Sequence, residues 1–178
     1  MVTIEGKGFV LREWTESDAE ALSLVANNKK IAQNMNGNFP FPYTLEEAKN
    51  WVERARGEEK IKSNFAIIVD GKLVGGIGFD LLEGEKEGVA SGGYWLGEEF
   101  WGRGIATKAW KLIADYAFNN FDIRRIQASA YSWNLASARV QEKCGFVKEG
   151  CLRQVVKRFD RVGDEFKYGL LREDWEKL

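Results

Sequence analysis

The stretch from Trp95 to Phe118, WLGEEFWGRGIATKAWKLIADYAF, constrains the fold more than any other part of the chain. An apolar segment runs into Gly102 and Gly104. An amphipathic helix starts directly after them, with Ile105, Ala109, Leu112, Ile113, Tyr116 and Ala117 at helical spacing and no proline in the run. A strand that feeds a helix through a glycine turn points to an α/β protein. It also leaves the first N–H groups of the helix without an intrahelical acceptor, at the positive end of the helix dipole, where phosphate oxygens bind well. The same glycines would equally serve a plain turn that needs unusual dihedrals.

The flanking sequence fits this unit. GFVLREW alternates as a strand, and SDAEALSLVANN follows as a helix with Ser17 and Glu20 in capping-box spacing. After Pro40 and Pro42, Thr44 and Glu47 form a second such box. Ala48, Trp51, Val52 and Ala55 then repeat at helical spacing to about Gly57. FAIIVDGKLVGGIGFD reads as a β-hairpin about Asp70-Gly71, EGEKEG as a solvated turn, and GVASGGYWLG as a strand weakened by Gly92 and Gly93. RRIQASAY supplies another strand, and Asn134 caps a helix through Lys143 that Gly145 stops. Phe146 then re-enters the core, and RQVVKRF with DEFKYGLL closes the chain before an exposed tail. With 178 residues and no Pro, Gly or Ser tract to divide them, a single domain over 1–178 is expected.

Composition removes several chemistries. The chain has no histidine, so Ser-His-Asp and Cys-His nucleophiles and His-based zinc motifs are out of reach. Cys144 and Cys151 are expected to be two reduced thiols. A net charge of -1 argues against a general binder of nucleic acid or anionic membrane. Its distribution is uneven. Residues 1–100 carry 11 Lys/Arg against 17 Asp/Glu, a balance of -6, and residues 101–178 carry 15 against 10, a balance of +5. That split suits an anionic cofactor with a cationic substrate, or an uneven solvated surface. With no charged leader before a long apolar run and no span near twenty apolar residues, a soluble, cytoplasmic protein is expected.

Three phosphate motifs compete for the glycine stretch. GEEFWGRG has the Walker spacing, but Arg103 and Gly104 stand where the lysine and the magnesium-binding hydroxyl belong. Gly102, Gly104 and Thr107 approach the dinucleotide pattern, yet only one strand–helix–strand unit surrounds them and Asp122 is not placed at a strand end to hold a ribose. The third fits. WGRGIA resembles the R/Q-x-x-G-x-G/A loop of the GCN5-related N-acetyltransferases, which grips the pyrophosphate of coenzyme A. The resemblance continues through LREWTESDAEAL, FPFPYTLEEAKNWVERA, GYWLGEEFWGRGIATKA, NLASARVQEKCGFVKEG and DEFKYGLLREDW. Together these are similar to the branch that includes ribosomal-protein N-terminal acetyltransferases.

The resemblance implies an α/β fold with a mixed, mostly antiparallel central sheet, flanked by helices and splayed between the GYWLG and RRIQASAY strands around acetyl-coenzyme A. Acetyl-coenzyme A is the implied co-substrate, with no metal. The amides of Arg103, Gly104, Ile105, Ala106 and Thr107 would bind pyrophosphate, the strand edge at Tyr94, Trp95 and Leu96 the pantetheine arm, and Asn134 and Ser137 that arm near the thioester. A backbone N–H near Leu96 is the implied oxyanion donor. Many relatives place a tyrosine acid where this chain has Gln141, so Ser137 becomes the candidate proton donor to sulfur, its alternative being a hydroxyl that only tidies the helix start. Where relatives often carry a catalytic carboxylate this chain has Ser91 and Val156. Asp164 matches an acidic position of the closing strand, as a base or as a group that fixes a loop. Phe39, Phe41, Tyr43 and Trp51 fall where the family builds its acceptor site, whereas Trp14, Trp110 and Trp175 are expected to pack. The implied acceptor is a primary amine, favouring a ribosomal or other protein N-terminus. The alternatives are a small-molecule N-acetyltransferase for polyamine, amino acid or antibiotic, and a coenzyme A sensor without turnover. No direct nucleic-acid or membrane partner is expected, and the state is a monomer or homodimer.

Overall fold

The computed structural model describes residues 2–57 and 63–178. The chain divides into two compact units, one of residues 1–78 with 94–109 and one of residues 79–93 with 110–178.

The first unit contains strands β1 (Thr3–Gly6), β2 (Phe9–Glu13) and β3 (Asn64–Val69), helices α1 (Asp18–Ala26), α2 (Lys29–Ala32) and α3 (Leu45–Arg56), and parts of three shared elements. These are the start of β4 (Lys72–Leu81), the end of β5 (Val89–Leu96) and the first turn of α4 (Ile105–Asn120). β3 and β4 form the expected hairpin. Its two-residue turn holds Asp70 at φ 48° and Gly71 at φ 76°, the twist-matched geometry that an Asp-Gly pair accepts. β1 was not expected. It pairs with β2 from Thr3↔Arg12 to Gly6↔Phe9, and a four-residue edge strand with a single large apolar side chain gives too short an alternation to read. The core gathers Trp14, Leu22, Ile31, Phe39, Tyr43, Val52 and Trp95.

Two helix starts in this unit carry the same capping pattern with different outcomes. At α3, Thr44 accepts the Glu47 N–H at 3.2 Å, and Gly57 caps the other end, both as expected. At α1, Ser17 is itself helical (φ -65°, ψ -12°) and makes no side-chain cap. The capping interaction lies two residues earlier, where the Asp18 carboxylate accepts both the Thr15 N–H (2.8 Å) and the Thr15 hydroxyl (2.9 Å). Asp18 is almost wholly buried and forms a two-pronged ion pair with Arg12 of β2, both contacts at 2.7 Å. Burial pushes its carboxyl up, but the bonds from Arg12 and Thr15 together with the guanidinium charge outweigh this and hold it below the usual range.

The second unit contains the remainder of β4, β5 and α4, with β6 (Arg125–Tyr131), α5 (Leu135–Lys143), β7 (Val147–Arg158), β8 (Arg161–Leu171) and α6 (Arg172–Trp175). Phe79, Trp110, Ile113, Ile126, Phe146, Tyr168 and Leu170 are buried in it, with Trp110 edge-on to Phe146 at 5.1 Å. The tail expected to be exposed is partly tied down. Trp175 stacks on Phe118 at 5.0 Å and donates to Asp115 at 2.5 Å.

Strand order is β1-β2-β3-β4-β5-β6-β8-β7 in one eight-stranded, mostly antiparallel sheet. β5 and β6 pair in parallel, from Val89↔Arg125 to Ser91↔Gln127. β6 continues to Tyr131 and β5 to Leu96 beyond that register. No helix among the described residues is long and apolar enough to cross a membrane.

Candidate active site

In the first unit, two glycines of β4 bring its backbone close to the end of β5. A Cβ at Gly75 would overlap the Trp95 carbonyl oxygen, and one at Gly76 would lie 2.9 Å from the Trp95 indole nitrogen. The Gly97 N–H donates to the Val74 carbonyl at 2.8 Å. Because backbone groups alternate sides along an extended strand, the Leu96 N–H and C=O point to the opposite edge. There the Leu96 carbonyl accepts the Trp101 indole N–H at 2.8 Å.

The segment from Gly97 to Gly104 is then fixed from one side. Glu98 accepts from Asn28 at 2.9 Å and from Lys30, which together hold its carboxyl below the usual range, the Lys30 bond contributing most. Gly102 and Gly104 sit at φ +74° and +73°, and a Cβ built on either meets nothing within 4 Å. The left-handed backbone asks for glycine at both positions, and the space over them is open. α4 begins at Ile105, with its first i→i-4 bond from the Lys108 N–H to the Gly104 carbonyl at 3.2 Å, so the amides of Ile105, Ala106 and Thr107 form the first turn, at the positive end of the helix. Arg103 is exposed, its guanidinium 5.0 Å from the Phe100 ring. An open turn, a positive helix end and a cation fit a coenzyme A pyrophosphate.

The four aromatic candidates separate. Phe39 and Tyr43 are buried, 5.0 Å apart, and Phe39 meets Trp95 edge-on at 5.9 Å, so they tie the proline-bearing loop to the end of β5. Trp51 is half-buried against Trp14, and Phe41 is exposed.

In the second unit, Asn134 caps α5 by accepting the Ser137 N–H at 3.3 Å. Ser137 is half-buried, and its hydroxyl has no hydrogen-bond partner among the described residues. Gln141, at the tyrosine position of many relatives, is buried and donates to the Ser129 carbonyl of β6 at 3.0 Å. Asp164 is committed to a bulge. One carboxylate oxygen accepts the Gln154 N–H at 2.8 Å and the other the Cys151 thiol at 3.8 Å, where Gln154 takes φ +51° and the β7–β8 register shifts. Its backbone is tied to Ser132 in both directions, at 2.8 and 3.1 Å.

Sequence reasoning passed over Trp101, Glu98 and the bond from Gln141 to Ser129. Trp101 lay inside the quoted motif, five residues from the carbonyl it binds. Glu98 meets partners some seventy residues away, and no local pattern signals that pairing.

Comparison with known proteins agrees with this geometry. Residues 9–147 match the acetyltransferase (GNAT) domain family. The Probable N-acetyltransferase YjcK of Bacillus subtilis is 32% identical over 86% of this chain and 88% of its own. The ribosomal-protein-serine acetyltransferase of Escherichia coli is 27% identical over 62% of this chain and 69% of its own. A GNAT-family acetyltransferase structure from Bacillus anthracis superposes with a TM-score of 0.83 at 25% identity, covering 97% of this chain and 99% of that one. The glycine-lined start of α4 is thus matched by likeness along the chain, which belongs to the GNAT family of N-acetyltransferases.

Proposed function

We propose that the chain transfers the acetyl group of acetyl-coenzyme A to the α-amine of a protein or peptide N-terminus. The observation that carries the cofactor reading is the open, glycine-lined mouth of α4. The amides of Arg103 to Thr107 hold the pyrophosphate, and the strand from Tyr94 to Leu96 receives the pantetheine arm. The family resemblance assigns Asn134 and Ser137 to coenzyme A as well. When bound, acetyl-coenzyme A supplies an activated thioester carbonyl. The neutral amine attacks this carbonyl directly: the N–C bond forms, the Leu96 N–H stabilises the oxyanion, and the C–S bond breaks, while the Ser137 hydroxyl relays a proton to sulfur and regains one from the solvent that takes the amine proton.

The acceptor class rests on the engagement of Asp164, the candidate base, elsewhere in the fold. We assign Asp164 to holding the β7 bulge, since both its oxygens are engaged there. An α-amine of pKa about 8 is already neutral to about one part in ten near pH 7, whereas a lysine or polyamine amine near 10.4 is neutral to less than about one part in a thousand. A site without a base suits the first. The likeness to the Escherichia coli ribosomal-protein-serine acetyltransferase supports the same class. Phe41, the exposed aromatic of the proline-bearing loop, is assigned to the first acceptor side chain.

The test is thiol release from acetyl-coenzyme A with peptides of varied first residue, spermidine and N-acetyl-lysine amide. The expected outcome is turnover on peptides, with kcat/KM rising through the acceptor's own amine pKa. Turnover confined to spermidine or lysine would move the chain to small-molecule acetylation. Tight binding of acetyl-coenzyme A without turnover on any amine would make it a sensor.

A further inference from the structure

The closing hairpin of the second unit exposes more than its own pairing requires. β7 ends the strand order, so among the described residues no strand lies beside its outer edge. Leu152, Val155 and Val162 are 45%, 54% and 58% exposed. Arg153, Lys157 and Arg161 stand among them, and none enters an ion pair among the described residues. From residue 152 to 162 the sequence has four cationic side chains and one carboxylate, Asp160. The register sets Arg158 opposite Arg161, and like charges facing across a strand pair destabilise it, so folding alone does not favour this arrangement.

We propose that the β7–β8 hairpin is a docking surface for an extended, acidic polypeptide segment that also carries aliphatic side chains. Three features select this partner. Arg153 and Lys157, which enter no ion pair among the described residues, call for carboxylates, the exposed aliphatic side chains call for apolar cover, and the outer edge of β7 offers N–H and C=O groups that pair with another peptide backbone. Nucleic acid satisfies only the first of these. A second copy of the chain meeting this face across a two-fold axis would bring two like-charged faces together, which is unfavourable.

The test is fluorescence anisotropy of a labelled extended peptide alternating Glu with Val or Leu, against the same peptide with Gln for Glu, titrated with the full-length protein. The acidic peptide should bind at least about tenfold more tightly at low salt and lose most of that advantage near 0.3 M KCl. The Arg153→Ala/Lys157→Ala/Arg161→Ala variant should abolish the preference with an unchanged circular dichroism spectrum. Lys157→Glu alone should reduce it if the triple variant does not fold. Equal affinity for both peptides, or a preference unchanged in the variants, overturns the proposal. So does polyuridylate that binds more tightly and displaces the peptide, or self-association by sedimentation that the same substitutions disperse.

Discussion

The starts of α4 and α5 solve one problem in opposite ways. Each helix begins with amides that lack an intrahelical acceptor. α5 closes its own mouth, with Asn134 accepting the Ser137 N–H. α4 is fronted by glycines: Gly102 and Gly104 keep the backbone in a left-handed turn, and a Cβ on either would meet open space. A helix that caps itself is finished by folding, and one fronted by glycines leaves room for a ligand. α1 is the extreme of the first kind, because its mouth is filled by a buried carboxylate paired with an arginine.

That extreme gives the largest expected effect. Asp18→Ala should cost about 3 kcal/mol in denaturant unfolding, since it leaves Arg12 without its partner and the Thr15 N–H without an acceptor. The pH dependence has a definite sign. The folded carboxyl is depressed, so its contribution is complete above the ordinary aspartate value near 3.9 and disappears as pH falls through the lower folded value. The variant's stability should therefore fall less steeply than the wild type's below about pH 4. Equal slopes would mean that α1 is not held by this carboxylate.

At the glycine-fronted mouth, Gly104→Val should weaken acetyl-coenzyme A by about a hundredfold in calorimetric titration, somewhat under 3 kcal/mol. Its branched side chain would occupy the open space and resist the positive φ. Gly104→Ala separates the causes, because it carries most of the backbone strain and little of the bulk. If both variants lose stability and neither loses affinity beyond a few-fold, the glycines only make a turn and the contrast with α5 fails.

The Asn134 cap takes the Ser137 N–H and leaves the hydroxyl without a hydrogen-bond partner among the described residues, so the self-closed mouth still has one group to offer a substrate. Ser137→Ala should lower kcat by about tenfold with cofactor affinity nearly unchanged, as expected for a proton delivered in the transition state. Loss of affinity with normal turnover at saturation would reduce the hydroxyl to a binding contact.

What could be read in advance follows the same division. The Asp70-Gly71 hairpin, the stripe of α4, the Thr44 and Asn134 caps and the glycine loop are all local, and each showed in a window of a few residues. Arg12 with Asp18, Glu98 with Asn28 and Lys30, and Asp164 with Gln154 depend on segments that only the fold brings together. Of the aromatic residues, Trp14 and Trp110 pack as expected, but nothing local distinguished buried Phe39 from exposed Phe41.

The smallest effect tests the limit of local reading most directly. Ser17 and Thr44 each stand three residues before a glutamate at a helix start, so sequence alone assigns them the same energy. In the structure only Thr44 accepts a backbone N–H, whereas Ser17 is helical and its hydroxyl reaches no further than the Thr15 hydroxyl at 2.9 Å. Thr44→Ala should cost about 1 kcal/mol in urea unfolding. Ser17→Ala should cost less than about 0.5 kcal/mol, because it removes an exposed hydroxyl pair and no cap. Equal losses at the two positions would show that the α1 start uses Ser17 after all. The carboxylate that replaces it would then be an addition to the cap, and the difference between self-finished and glycine-fronted helix mouths would rest on α4 alone.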